Sequence, residues 1–395
     1  MKTEAAVTHL MNNYSRWPIH LVKGKGNKVW DKDGKEYLDF TSGIGVNSLG
    51  HVHDAVTRQL HQQLDTLWHC SNLVHVPQQE QLAEKLAQLS GLDRVFFCNS
   101  GAEANEAMIK IARRYAQKVK QENRFEVITF QQSFHGRTLA TLTATGQEKV
   151  KDGFAPLPEG FITVPYNDIE AVRSVLSDRT CAVMLELVQG EGGVHPADPE
   201  WVKQLRQLCD QQGILLLVDE IQTGIGRTGS WFCYQQYGIK PDVISMAKAL
   251  GNGFPIGAIA ASETVAQAFS PGTHGTTFGG NPLAVTAGLA TLTAMEQENA
   301  IAKVKELHQL IIERLQALQA AVPDLVPAIR GKGLMLGIQL TVPVDAILAE
   351  ARNKGLLLLQ AGPQVIRLLP SFITTKAEID QMAEILEEVI LGANG

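Results

Sequence analysis

The sequence predicts an α/β protein. A large domain carries a mostly parallel sheet covered by helices on both faces, and a smaller α+β domain is assembled from the N- and C-terminal segments. Three observations lead there. Through the middle of the 395 residues, short runs rich in Val, Ile and Leu alternate with amphipathic helical patterns. Strands buried on both faces read as such continuous apolar runs. The flanks differ, with a hairpin pattern at one end and long helices with short strands at the other. A chain of this length also exceeds what one simple core accommodates. The expected segments are 1–50 and 286–395 for the smaller domain and 51–285 for the larger.

Composition narrows the function. With 45% apolar and 19% charged residues and a formal net charge of −6, the chain carries no basic footprint for nucleic acid or an anionic membrane. "MKTEAAVTHLMNNYSRW" has no apolar signal core, and no stretch is long enough to span a bilayer. Five scattered cysteines (Cys70, Cys98, Cys181, Cys209, Cys233) form no CxxC pair. They point to a reducing, cytoplasmic setting and away from zinc or a disulfide framework.

Taken in chain order, "NKVWDKDGKEYLDF" reads as a hairpin turning at Asp33-Gly34. His51 and His53 of "GHVHD" alternate as on an extended segment and read as structural or loop-exposed. "RVFFCNSGAEANEAMIKIARRYAQK" passes from strand to helix. Ser100 stands as N-cap with Glu103 three residues on, a capping box, and Ala104, Ala107, Met108, Ile111 and Tyr115 recur at helical spacing. Gly101 and Ala102, nearly without side chains, leave the first helical N–H groups open to an anion. A plain capped helix is the simpler alternative. Walker-type spacing is absent, which argues against a nucleoside triphosphate.

After the strand "EVITF", "SFHGRTLATLT" offers Phe134, either core or a ring that stacks on a flat ligand. Beside it Arg137 can take a carboxylate in bidentate fashion. "TCAVMLELVQGEGG" is a strand and loop, and "WVKQLRQLCDQQG" a helix closed by Gly213. "ILLLVDEIQTG" is a fully apolar strand ending at Asp219. Buried acids are rare unless paired. The partner of Asp219 is a cationic cofactor ring, Arg227 or a metal, although no companion ligand stands at metal spacing. "DVISMAK" is another strand, and Lys248 follows it in "ISMAKALGNGFPIGA". A lysine among apolar neighbours either snorkels to water or is a nucleophilic amine with a pKa lowered by desolvation.

"GTHGTTFGGNPLAV" brings Thr276 and Thr277 to a helix start, with Asn281 as cap and Pro282 as first residue. The simpler alternative for this stretch is a glycine-rich loop. After about Thr286 comes a long helical stretch, then two short strands, "GLMLGIQL" and "QVIRLLP". A Thr375/Glu378 capping box opens the last helix, with Ile379, Met382, Leu386 and Val389 on one face. Ligands of open parallel sheets bind beyond the carboxyl ends of the strands. Cys98-Asn99-Ser100, Glu186, Asp219 and Lys248 all fall at or just past such ends. A phosphate cradle, a stacking ring, a buried acid and a buried amine are the parts pyridoxal phosphate needs.

At these residues the sequence resembles the class III pyridoxal-phosphate aminotransferases. The likeness runs from "DKDGKEYLDFTSGIGVNSLGH" to "VIRLLPSF" and is most specific in "LLVDEIQTGIGRTG" and "DVISMAKALGNGFPIGA". The resemblance implies a fold-type I homodimer with active sites at the subunit interface. It implies pyridoxal 5'-phosphate as cofactor, and transfer of the terminal amino group of N-acetylornithine to 2-oxoglutarate, giving glutamate. Succinylornithine, succinyl-diaminopimelate and ornithine remain alternative donors. By match of motif, Lys248 would bond the cofactor covalently and Asp219 would face its ring nitrogen. Ser100, Gly101 and Ala102 would bind phosphate, Phe134 and Gln222 would contact the ring region, and Thr277 would reach the phosphate of the neighbouring subunit's cofactor. Arg137, with Thr276 close by, would hold the substrate's α-carboxylate. Glu191 would pair with Arg367 while the terminal amine reacts and release it for glutamate or 2-oxoglutarate. Two positions depart from the family pattern: Asp54 and Leu187 stand where proline is usual.

Overall fold

The computed structural model describes residues 9–392. Seven strands form its central sheet: β1 (Arg94–Cys98), β2 (Glu126–Phe130), β3 (Phe161–Val164), β4 (Thr180–Glu186), β5 (Leu215–Asp219), β6 (Val243–Met246) and β7 (Gly257–Ala261). Their spatial order is β1-β7-β6-β5-β4-β2-β3. Only β7 runs antiparallel to its neighbours. Every residue of β2, β4, β5, β6 and β7 is buried.

The period of two sorts these strands onto two cores. Leu215, Leu217, Val243 and Ile259 pack with Ala104, Ala107, Met108 and Ile111 of helix Gly101–Arg114. Leu216, Val218, Ile244 and Ala260 share the opposite core with Trp201, Val202 and Leu205 of helix Pro199–Gln212. Each Leu or Ile so enclosed stabilises by roughly 1.5–3 kcal/mol relative to exposure. The sheet is covered on both faces, as its apolar runs require.

The hairpin pairs Lys28–Asp31 with Glu36–Asp39, and Gly34 at its turn has φ +83°. Leu356–Leu357 joins Glu36–Asp39 as a parallel neighbour, so the two ends of the chain share a sheet. A second small sheet links Ala328–Lys332, Met335–Gln339, Val365–Leu368 and Leu359–Gln360. The final helix, Lys376–Gly392, begins with the expected reciprocal bonds between Thr375 and Glu378. The long helical stretch departs from expectation. It is two helices, Pro282–Gln297 and Ala300–Ala321, divided where Asn299 takes φ +51°. Asparagine tolerates this left-handed conformation, and the 3.6-residue pattern on either side concealed the break. The first eight and last three residues of the expected terminal segments lie outside the described residues.

His51 and His53 are structural, lying 2.8 Å from Asp39 and Glu298 respectively. The five cysteines are free, and all but Cys70 are buried. Among the described residues no helix is long and apolar enough to cross a membrane, and no cluster of three His, Cys, Asp or Glu is placed to hold a metal ion.

Arg227 follows β5 and is completely buried. It is not the partner of Asp219. Its guanidinium donates to the carbonyls of Leu334 (3.2 Å) and Pro370 and to Ser48 Oγ (2.7 Å), and lies over the Phe372 ring. One side chain thus ties the central sheet to both chain ends. Arg227→Ala leaves three acceptors unpaired beside a void. We expect a loss of about 3 kcal/mol in stability, read from the midpoint of urea denaturation; an unchanged midpoint would show that the tie is dispensable.

Candidate active site

A cavity of about 480 Å³ opens at the carboxyl ends of the central strands, lined by Ser100, Gly101, Ala102, Phe134, Arg137, Glu186, Val188, Asp219, Gln222 and Lys248. A larger groove of about 820 Å³ lies between helices Asp54–Leu64, Pro77–Ser90 and Pro282–Gln297. Its ionisable lining is a single arginine, Arg58, among glutamines, so it offers no acid, base or nucleophile. The smaller cavity is where the chemistry converges.

Asp219 ends β5 and is only 4% exposed. Its Oδ2 accepts the Asn105 amide at 2.7 Å and lies 2.8 Å from His135 Nδ1; its Oδ1 accepts the Ile221 N–H at 3.1 Å and the Ser245 hydroxyl at 3.4 Å. A carboxylate can only accept, so the His135 proton sits on Nδ1. Burial alone would lower the His135 pKa, but the bond to Asp219 together with the charges of Asp219 and Glu186 outweighs it and the net shift is upward.

Lys248 follows β6 with φ +43°, a left-handed conformation that is costly for a residue with a side chain. Such strain clusters at functional sites. Among the described residues its amine makes no hydrogen bond or ion pair. Burial lowers its pKa; Glu191 opposes this and Arg367 reinforces it. The amine is therefore biased toward the neutral, nucleophilic form.

Ser100 caps helix Gly101–Arg114 by accepting the Glu103 N–H at 3.2 Å. The expected capping box is incomplete, because the Glu103 carboxylate reaches one residue further back, to the Asn99 N–H at 2.6 Å. Gly101 and Ala102, the first two residues of the helix, line the cavity. Phe134 is half-buried on that wall rather than in the core, and Arg137 stands over its ring at 5.6 Å. Between them Gly136 has φ +139°, and a Cβ there would collide with Thr141.

Arg367, on strand Val365–Leu368, is 2% exposed and reaches toward the cavity from the small sheet. Its Nη1 donates to Glu191 Oε1 (2.6 Å), to the Gly190 carbonyl (2.9 Å) and to Gln222 Oε1 (3.1 Å). Burial would raise the Glu191 carboxyl, but the Arg367 guanidinium, helped by Lys248 and Gln222, outweighs it and the net shift is downward. Gly190 has no room for a side chain, since a Cβ would overlap the Gln222 amide.

Thr276 stands apart from the cavity lining and accepts the Asn99 side-chain amide at 3.1 Å. Thr277 is exposed and does not line the cavity of its own chain. The two departures from the family pattern are accommodated. Asp54 opens helix Asp54–Leu64 in an ion pair with Lys25, and the carbonyl of buried Leu187 accepts the Ala197 N–H at 2.9 Å. The sequence reading missed Asn105 and His135. A buried asparagine on a face of Ala104, Ala107 and Met108 was the available signal, because such a group requires a partner.

Comparison with known proteins defines the class. The profile of the class-III aminotransferases matches residues 10–390, and the chain belongs to that family, whose members depend on pyridoxal phosphate. It is 51% identical over 386 residues to an acetylornithine aminotransferase from Oceanobacillus iheyensis, covering 98% of this chain and 96% of the relative. One from Bacillus subtilis is 50% identical over 385 residues, covering 97% and 98%. Among solved structures, an ornithine aminotransferase from Toxoplasma gondii, with partial occupancy of PLP at its active site, superposes with a TM-score of 0.93 at 30% identity, covering 98% of this chain and 93% of that one. N-acetylornithine aminotransferase from Stenotrophomonas maltophilia gives 0.84 at 36%, covering 96% and 98%.

The residues present suit the cofactor. An amine without a partner, a carboxylate held by donors on both oxygens and an uncovered helix N-terminus meet in one cavity. Replacing Asp219 with Asn removes the charge while keeping the shape. We expect turnover to fall by a factor on the order of 10³, the scale of losing a major electrostatic stabiliser. Steady-state kinetics of the cofactor-saturated variant would check this, and near-normal turnover would make the acid merely structural.

Proposed function

We propose that the chain moves the terminal amino group of N-acetylornithine to 2-oxoglutarate, yielding N-acetylglutamate semialdehyde and glutamate, as a cytoplasmic step of arginine biosynthesis. Identity near one half to acetylornithine aminotransferases over almost the whole chain carries the choice of donor. The arginine capped by Glu191 carries the choice of a terminal rather than an α-amine.

Bound pyridoxal phosphate supplies a carbonyl for amines to condense with and a conjugated ring that absorbs electron density. The chain's own groups supply the rest. The neutral Lys248 Nζ accepts a proton from the carbon bearing the reacting nitrogen and returns it on the other side of the transfer. Asp219, fixed by Asn105 and His135, holds a proton on the cofactor's ring nitrogen. Gly101 and Ala102 offer N–H groups to phosphate, and Phe134 with Val188 gives the ring apolar walls. Arg137, at the exposed rim, takes the α-carboxylate of the donor.

Glu191 and Arg367 set the order of substrates. A bare Arg367 would draw the α-carboxylate of any amino acid and present the wrong amine. Glu191 covers it until the second carboxylate of glutamate or 2-oxoglutarate competes for it. We assign the working unit to a homodimer in which Thr277 serves the neighbouring site; exposed Trp68, Leu73 and Phe278 give that surface an apolar character. Sedimentation of the holoenzyme at monomer mass would refute the dimer. The same reading divides the chain near residues 50 and 285.

Single-turnover spectra test the assignment. Among N-acetylornithine, succinylornithine, succinyl-diaminopimelate and ornithine, the first should convert the cofactor fastest; a faster reaction with another donor would reassign the substrate. Glu191→Ala should shift preference toward glutamate by about 10-fold or more, since a charge-assisted bond is worth ~1.5–3 kcal/mol. Arg367→Ala should spare the acetylornithine half and cripple the glutamate half. An equal loss in both halves would mean that Arg367 is only structural.

A further inference from the structure

One buried acid of the cavity has no part in this scheme. Glu186 is the last residue of β4 and lies directly opposite Asp219 in the parallel register of β4 and β5. It is 6% exposed and lines the same cavity. Its Oε1 accepts one hydrogen bond, from the Phe134 backbone N–H at 2.8 Å. Among the described residues its Oε2 has no partner and no cation forms an ion pair with it. Asp219 next to it receives donors on both oxygens. The two carboxyls are therefore unequal: one is arranged as an anion, the other is starved of what an anion needs.

Two like charges at such a distance in a closed site repel strongly. The ionisable groups facing Glu186 are Asp219 on β5, His135 after β2, Glu191 beyond β4 and Lys248 after β6, and the Tyr166 hydroxyl donates to its backbone carbonyl. Asp219 and Glu191 disfavour a further negative charge. His135 favours one but is already engaged by Asp219.

We propose that Glu186 is a positioning residue of the cofactor site that is a neutral carboxylic acid at low pH while Asp219 carries the charge, and whose ionisation as pH rises strengthens proton binding at the Lys248 nitrogen. Burial, opposed by His135 and reinforced by Asp219, pushes its pKa up to about 7. The sign follows. Below about 7 Glu186 is neutral and adds nothing to Lys248; above it the new anion favours the protonated nitrogen. The bond to the Phe134 N–H persists in both states, so the wall of the cavity does not move with the proton.

This inference rests on the reading of Lys248 and Asp219 as the groups that meet the cofactor. The test is the visible absorbance of the lysine-bound cofactor followed against pH in the wild-type holoenzyme and in Glu186→Gln, which keeps the shape and an acceptor for Phe134 but cannot ionise. Wild type should show two inflections. The variant should show one, displaced downward by about one pH unit or more. Glu186→Asp, which keeps an ionisable group, should show two again. Infrared spectra of the apoprotein add a direct view of the proton. A protonated-carboxyl band that titrates near neutrality should be present in wild type and absent from Glu186→Gln, while the band of Glu220, also buried and pushed up to about 7, remains in both. Superimposable absorbance curves, or a wild type with one inflection and no band to lose, would overturn the inference without needing any variant to be active. A Lys248→Ala holoenzyme that kept the chromophore would instead strike the underlying reading of the site.

Discussion

The structure is organised around one buried negative charge. A carboxylate taken out of water at the end of β5 is tolerable only if donors surround it, and the donors of Asp219 come from four separate places. Asn105 lies one turn inside helix Gly101–Arg114, His135 in the loop after β2, Ile221 in the turn after β5 and Ser245 in β6. Satisfying Asp219 fixes each of these segments. Asn105 ties the helix to Asp219, and its first residues, Gly101 and Ala102, line the cavity. His135 sets the loop that places Phe134 on one side of Gly136 and Arg137 on the other. The placement of these cavity-lining segments is thus a consequence of a single desolvated acid and its neighbours.

Lys248 is the complement of that acid. It sits past the adjacent strand, its amine unpartnered and its backbone strained, while the cation nearest in function, Arg367, is neutralised by Glu191. Had Lys248 been given the carboxylate that Arg367 received, its charged form would be stabilised and its nucleophilicity lost. The site keeps its acids and bases matched to different partners. That separation lets one cavity hold three carboxyls and still bias the Lys248 amine toward its neutral form.

Much of this was legible from local pattern. The strand ends, the caps at Ser100, Asn281 and Thr375, the hairpin at Gly34 and the placement of Asp219 and Lys248 depend on residues a few positions apart, and the sequence displays those directly. What was hidden depends on distance. Asn105 meets Asp219 across 114 positions, and Arg227 meets Pro370 across 143. Neither contact leaves a periodic trace. A buried acid and an arginine a few positions on suggest a pair, yet Arg227 satisfies the Leu334 and Pro370 carbonyls beside the small sheet. Glu103 kept its cap role but chose the Asn99 amide, a shift of one residue that no spacing rule distinguishes. The break at Asn299 was lost because helical periodicity continues on both sides of it.

The long-range contacts that sequence could not show are also those that make the site bifunctional. Lys248 and Asp219 belong to the central sheet, whereas Arg367 belongs to a strand of the C-terminal sheet. They meet because Gln222 and the Gly190 carbonyl, both on loops of the large sheet, accept from the Arg367 guanidinium. A side chain at Gly190 would push Gln222 out of this position. The cation proposed to admit the second substrate is therefore held by loops that frame the cavity, and Arg227, bonded to Ser48, Leu334 and Pro370, ties the large sheet to the small one. Were the small sheet free to move by even one side-chain length, Glu191 would lose the guanidinium. Substrate order would then be lost before any catalytic atom had changed place.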